Sequence, residues 1–149
     1  MAWLVLLCVV AMLALAACGG DRPLPRGCLT ASPHDVVVAL RGAPGPVALA
    51  DGTRLSTCVA GALDDADLQT VGATLTAAAD RLAARLSRSG AAALQLGFLI
   101  GATERGAVRT GGVGAELATR VRRAAGLDGG PSSSRAQLLR GRAAGRARG

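Results

Sequence analysis

The sequence predicts a mainly helical α+β fold, in which a small N-terminal β-hairpin region, residues 34–59, precedes a three-helix bundle. Two observations point to the hairpin: a β-branched run at Val36–Val38 and an Asp-Gly pair at positions 51 and 52, which favours a type I′ turn. The bundle is indicated by apolar residues that recur every three or four positions from Leu68 onward. A single globular domain, residues 28–126, is therefore expected.

Three strands are expected in the β region. The first runs from His34 to Leu40 and ends at the Gly- and Pro-rich stretch RGAPGP, which breaks regular structure. Residues 47–50 and 53–59 flank the Asp-Gly turn and form the two arms of the hairpin. The region would then be a small antiparallel unit packed beside the bundle.

Three helices are expected, at residues 65–89, 91–104 and 113–125. Aspartates at positions 64 and 65 are suited to cap the first helix, and Gly90 ends it. The second helix is apolar nearly all round, so it should be the buried central helix. Its glycines at positions 97 and 101 favour close packing against the first helix, and Gly126 ends the third helix.

Residues 127–149 are expected to be a disordered tail rich in Gly, Ser and Arg. Three glycines at positions 141, 145 and 149 disfavour a helix there. Residues 135–149 hold five of the seventeen basic residues and no acid, and subtracting these five from the net charge of +7 leaves +2 elsewhere. These arginines are the predicted contact with anionic lipid or an acidic wall polymer: Arg135, Arg140, Arg142, Arg146 and Arg148.

The four cysteines indicate an oxidising compartment. Cys8 lies in the apolar leader and Cys18 at its end, which leaves Cys28 and Cys58 to pair as a disulfide. Closing this loop should stabilise the domain by about 3–4 kcal/mol. The alternative is a metal site made of these two thiols with His34 and Asp35, but it lacks the close paired spacing of zinc motifs. No cofactor and no metal are therefore expected.

An export signal is predicted at residues 1–17. Residues 2–17 carry no charge, and sixteen helical residues span about 24 Å, short of the roughly 30 Å of a bilayer core. The run closes on Leu15-Ala16-Ala17-Cys18, which resembles the lipobox of bacterial lipoproteins. This resemblance implies cleavage before Cys18, diacylglycerol on its thiol, a short tether at 18–27 and an extracytoplasmic, membrane-anchored domain. Residues 67–83 and 94–107 resemble uncharacterised exported proteins of high-GC bacteria, which implies no function.

The opposite topology is the alternative. No Lys or Arg precedes the apolar run, whereas Arg22 and Arg26 follow it, and a positive-inside bias keeps such residues cytoplasmic. Either the true start lies upstream or the run is an uncleaved, inverted anchor. In the inverted topology both remaining cysteines would face a reducing cytosol without pairing, and the arginine tail would bind nucleic acid.

Catalysis has few candidate residues, and no catalytic residue is assigned. His34 is the one histidine, and His34-Asp35 at the start of a strand could form a dyad with a hydroxyl such as that of Ser32 or Ser56. Aromatic residues are limited to Trp3 and Phe98, which argues against stacking platforms for bases or sugars. The sequence therefore predicts a small lipid-anchored envelope protein with a non-enzymatic binding or structural role. The competing hypothesis is an envelope hydrolase that uses His34.

Overall fold

The described part of the chain, residues 23–124 and 132–149 of a computed structural model, is built from α-helices and contains no strand. Seven α-helices and one 3₁₀ turn follow each other in these two ranges. Their bounds are α1 Arg26–Thr30, α2 Pro33–Ala39, the 3₁₀ turn Leu40–Gly42, α3 Leu55–Gly61, α4 Asp65–Ala83, α5 Gly90–Ala107, α6 Gly112–Ala124 and α7 Ser132–Arg148.

The predicted β-hairpin region, residues 34–59, is wrong. Ser32 and Asp35 form a capping box, with Pro33 in the first turn, and this starts helix α2 where the first strand was expected. A turn does form at Asp51-Gly52, with the Leu49 N–H donating to the Thr53 carbonyl and Gly52 at a φ of 83°. It is not the expected type I′ turn, which needs a positive φ at both central residues, because Asp51 has a negative φ. The turn leads into helix α3, however, and pairs no strands.

The spacing of the buried side chains explains why this region is helical. Buried positions after the turn are Leu55, Cys58, Val59 and Ala62, a spacing of three and four that belongs to a helix. Each short helix packs on α4 or α5: α1 and α2 contact α4, and α3 contacts α5. The β-branched run and the Asp-Gly pair were therefore outweighed by the longer apolar pattern.

Helices α4, α5 and α6 lie where the sequence predicts three helices. Helix α4 ends at Ala83, six residues before the predicted end of the helix at residue 89. The chain after it forms tighter turns, in which the Arg85 N–H donates to the Leu82 carbonyl. Helix α5 is buried along most of its length, and its largest buried side chain is Phe98. Because the connections between these helices are short, neighbours run antiparallel, and α4 and α6 point the same way.

Cys28 and Cys58 form a disulfide, as predicted, and join α1 to α3. Both half-cystines are buried in the main core. The predicted tether, residues 18–27, is shorter than expected within the described part of the chain. Leu24 already packs against the core beside Gly61, and α1 begins at Arg26.

Helix α7 occupies most of the stretch for which the sequence predicts a disordered tail, residues 127–149. It lies parallel to α5, and glycines on both helices let the two backbones touch. The prediction that Gly97 and Gly101 pack against the first predicted helix, α4, is therefore wrong, because their close neighbours are backbone atoms of α7. A Cβ atom at Gly101 would lie 2.1 Å from the Arg142 carbonyl oxygen, and one at Gly145 would lie 2.1 Å from that of Phe98. The glycines that disfavour a helix in isolation are the residues that permit this docking.

Candidate functional site

The five arginines predicted to contact a polyanion all lie on α7. They extend from Arg135 to Arg148, about 20 Å along the axis at 1.5 Å per residue, so they do not form a single patch. Arg142 and Arg146 form ion pairs with Glu104 on α5, and the Arg148 guanidinium donates to the Pro44 carbonyl at 2.9 Å. Three of the five predicted contact residues are therefore engaged within the domain.

Glu104 is the acidic residue that holds this end of α7. Its side chain is only 14% exposed, and its two oxygens accept from Arg142 at 2.5 Å and Arg146 at 2.7 Å. Burial by itself raises the pKa of Glu104, but hydrogen bonds and attraction from the two guanidinium groups outweigh it and hold the pKa below the ordinary value. The same contact raises the pKa of Arg142. Sequence reasoning missed this residue, although it follows Gly97 and Gly101 by seven and three positions, on the same helix face.

We expect Glu104→Gln to lower the free energy of unfolding by about 1–2 kcal/mol near neutral pH, because two half-exposed arginines lose their carboxylate. Since the folded-state pKa is lowered, this contribution is complete above the ordinary glutamate pKa and disappears as pH falls through the folded-state value. Urea unfolding from about pH 7 to about pH 3 should show the variant and the parent converging. Glu116→Gln is the control, because Glu116 pairs with Arg120 on an exposed helix face and should cost at most about 0.5 kcal/mol at any pH.

Two further contacts close the C-terminal end of α7. The Arg105 guanidinium donates to the carbonyls of Arg146 and Ala147, which are otherwise unpaired at a helix end. The Ser56 hydroxyl on α3 donates to the Gly149 carbonyl at 2.5 Å. These bonds tie α7 to both α5 and α3 at one end of the bundle.

A second group of arginines lies at the other end, where α4 terminates beside the start of α7. The Ser134 hydroxyl donates to the Leu86 carbonyl, so Arg135, the next residue, lies at the end of the bundle that also carries Arg85 and Arg88. All three side chains are exposed, and within the described residues none of them forms an ion pair. We call Arg85, Arg88 and Arg135 the distal arginine cluster. The cluster can attract anions. The sequence alone does not reveal it, because Arg135 follows Arg85 by fifty positions.

Within the described residues, His34 forms no hydrogen bond with Ser32 or Ser56, the two hydroxyls considered for a catalytic dyad. Asp35 accepts from both the hydroxyl and the backbone N–H of Ser32, and these bonds, the backbone one first, hold the pKa of Asp35 below its ordinary value. The Ser56 hydroxyl is occupied by Gly149, and His34 lies exposed on α2. The alternative metal site loses its two thiolates to the disulfide, and the described residues contain no cluster of three metal-binding side chains.

An open cleft of about 600 Å³ lies between α4 and α6. Its floor is apolar, with Leu117 against Gly72 and Leu68 beside them. The charged side chains that line it, Asp65 and the Glu116–Arg120 pair among them, are exposed. Such a cleft suits an apolar side chain of a partner better than a polar substrate that needs oriented hydrogen bonds.

The predicted signal, residues 1–17, and the predicted lipidation site Cys18 lie outside the described residues. Within residues 23–124 and 132–149, none of the helices is long and apolar enough to cross a bilayer. Comparisons with known proteins add no assignment: no protein-family model, no curated protein and no solved structure matches this chain.

Proposed function

We propose that this protein is a small exported component of the cell envelope, held at the membrane by lipid on Cys18, with a binding or structural role. The Cys28–Cys58 disulfide carries the proposal, because such bonds persist in oxidising compartments and are rare in the cytosol. The Leu-Ala-Ala-Cys tetrapeptide after an uncharged apolar run supports the anchor. The inverted topology, with its nucleic-acid-binding arginines, is disfavoured by the disulfide and by the internal contacts of Arg142, Arg146 and Arg148.

A non-enzymatic role is supported by where the candidate catalytic groups lie. A hydroxyl nucleophile activated by His34 must donate its proton to the imidazole, but the Ser32 hydroxyl donates to the Asp35 carboxylate and the Ser56 hydroxyl to the Gly149 carbonyl. His34 is exposed on a helix with no neighbouring hydroxyl bound to it in the described structure. These positions favour binding over hydrolysis.

The partner that fits the surface best is an acidic polymer of the envelope, bound at the distal arginine cluster. Three exposed arginines lie at this end of the bundle, and within the described residues none of them forms an ion pair with an acidic side chain. Helix α5 has 18 residues and separates this cluster from the end near Leu24 by about 25 Å. The cluster would therefore face away from a membrane to which Cys18 is attached, towards polymers of the surrounding envelope.

The anchor is tested by intact mass spectrometry of protein extracted from membranes. We expect a species that begins at Cys18 and carries diacylglycerol, and we expect Cys18→Ser to abolish both cleavage and lipid. Cys8→Ser is the control, because Cys8 lies inside the predicted signal and should leave the mature mass unchanged. A membrane-extracted species that begins at Met1 without lipid would contradict the proposed anchor.

The partner is tested with long-chain inorganic polyphosphate as the polyanion. Replacing Arg85, Arg88 and Arg135 by alanine should weaken binding about tenfold or more and reduce its salt dependence, because each cation contributes about 1 kcal/mol near an anionic surface. The control replaces three exposed arginines of α6, Arg120, Arg122 and Arg123, and removes the same charge elsewhere. Equal loss in both variants would mean that net charge, not the cluster, sets the affinity.

A further inference from the structure

Three large apolar side chains are exposed at one end of the bundle. They are Val108, 85% exposed, Leu63, 66% exposed, and Val113, 54% exposed. Each lies next to a helix terminus: Leu63 just before α4, Val108 just after α5 and Val113 at the start of α6. No described residue covers them. Burying three such side chains in an apolar environment would be favourable, because it removes apolar surface from water.

A series of close contacts places the end of the bundle that carries these three side chains beside Leu24, near the first described residue of the domain. Leu24 lies against Gly61 at the end of α3, two residues before Leu63. Val59 of α3 packs on Gly106 of α5, two residues before Val108. Ala107 in turn packs on Gly114, the neighbour of Val113. We call this the proximal end, since these close contacts link all three exposed side chains to Leu24.

The chain outside the domain limits how far the proximal end can lie from a lipid anchor. Four residues lie between Cys18 and Pro23, the first described residue, and the five Cα–Cα steps that join them span at most about 17 Å when extended. A lipid on Cys18 would therefore hold Leu24, and with it the proximal end, within about 20 Å of the bilayer surface. Residues 18–22 include two glycines and are too short to carry the domain elsewhere.

We propose that the proximal end rests on the lipid surface and inserts Leu63, Val108 and Val113 into the boundary between headgroups and acyl chains. Apolar side chains of peripheral proteins reach about 5–10 Å into this boundary. The contact is apolar rather than electrostatic, because Asp64 and Asp65 are exposed there as well as Arg109. A bilayer with no net charge therefore suffices. This inference rests on the proposed lipid anchor, and it orients the distal arginine cluster away from the membrane.

The experiment uses the full-length, membrane-extracted protein in vesicles of zwitterionic phosphatidylcholine, with and without bromine on the acyl chains. Trp3 is replaced by phenylalanine, and a single tryptophan is introduced as Val113→Trp or, as a matched control, Leu139→Trp. Val113 and Leu139 are both 54% exposed, but Leu139 lies on α7 about 15 Å from its proximal end. Vesicle flotation is recorded on the same samples and reports the anchor independently of the fluorescence.

We expect both variants to float, and we expect brominated lipid to quench the Val113→Trp emission by about half while leaving Leu139→Trp nearly unchanged. Flotation with equal or absent quenching in the two variants would overturn the insertion of the proximal end and leave the anchor standing. Failure of both variants to float would overturn the anchor and, with it, this inference.

Discussion

Gly101→Ala is expected to lower the free energy of unfolding by about 2–4 kcal/mol, because it places a methyl group where α7 passes. The added Cβ atom would lie 2.1 Å from the Arg142 carbonyl oxygen and 2.8 Å from the Arg146 nitrogen. These are backbone atoms of a helix, so neither can move aside as a flexible side chain would. The two helices must separate, and separation also loosens the Glu104 ion pairs next to this contact.

The matched control is Gly112→Ala on α6. No heavy atom lies within 4 Å of a Cβ built at Gly112, so the substitution should be neutral or stabilise by up to about 1 kcal/mol. Urea unfolding followed by circular dichroism compares the two. Limited trypsin digestion adds a second readout, because a detached α7 exposes its arginines to cleavage while the rest of the domain stays folded. Equal stability of both variants would mean that the α5–α7 contact is looser than the close backbone approach indicates.

Removing the disulfide has the second large expected effect, a loss of about 3–4 kcal/mol in the Cys28→Ala, Cys58→Ala double variant. The bond closes a loop with a sequence separation of 30, and its removal returns that conformational freedom to the unfolded chain. Both cysteines are nearly fully buried, so alanine is preferred to serine, which would add a polar group to the core. For a domain of this size such a loss is a large share of the total stability.

The control for this prediction is a reducing agent. Reductant added to the parent protein should reproduce the destabilised unfolding curve, whereas reductant added to the double variant should change nothing. The measurement is the midpoint of urea unfolding at fixed temperature. An unchanged midpoint in the double variant would mean that the loop between the cysteines is already ordered when the rest of the chain is unfolded.

The error in the β region shows where local signals mislead. Val36, Val37 and Val38 have high strand propensity, yet the Ser32–Asp35 capping box starts a helix just before them. In that helix Val36, Val37 and Leu40 face the core, and Val38 is exposed. Strand propensity is a property of the single residue type, whereas the spacing of apolar residues along the chain indicates which face of a helix or strand is buried in the core.

The error at α7 has a different origin. Gly141 and Gly145 destabilise an isolated helix, and the segment before α7 is rich in Gly and Ser, so disorder is the reasonable expectation from composition. The compensating partner, Gly97 and Gly101 on α5, lies about 44 residues earlier in the chain. Nothing within the tail reports it, and only the matching four-residue spacing of glycines on both segments hints at the pairing.

For this protein, the sequence alone determined the Cys28–Cys58 pair, the presence of a turn at Asp51-Gly52 but not its type, and the positions of α4, α5 and α6. These depend on cysteine count, on backbone conformation and on periodicity, all of which are local or nearly so. Only the tertiary structure decided that the N-terminal region is helical, that α7 docks on α5 and that Glu104 forms ion pairs with two of the tail arginines. Each of these depends on contacts between residues far apart in the chain, where the free energy of close packing exceeds the local preferences that oppose it.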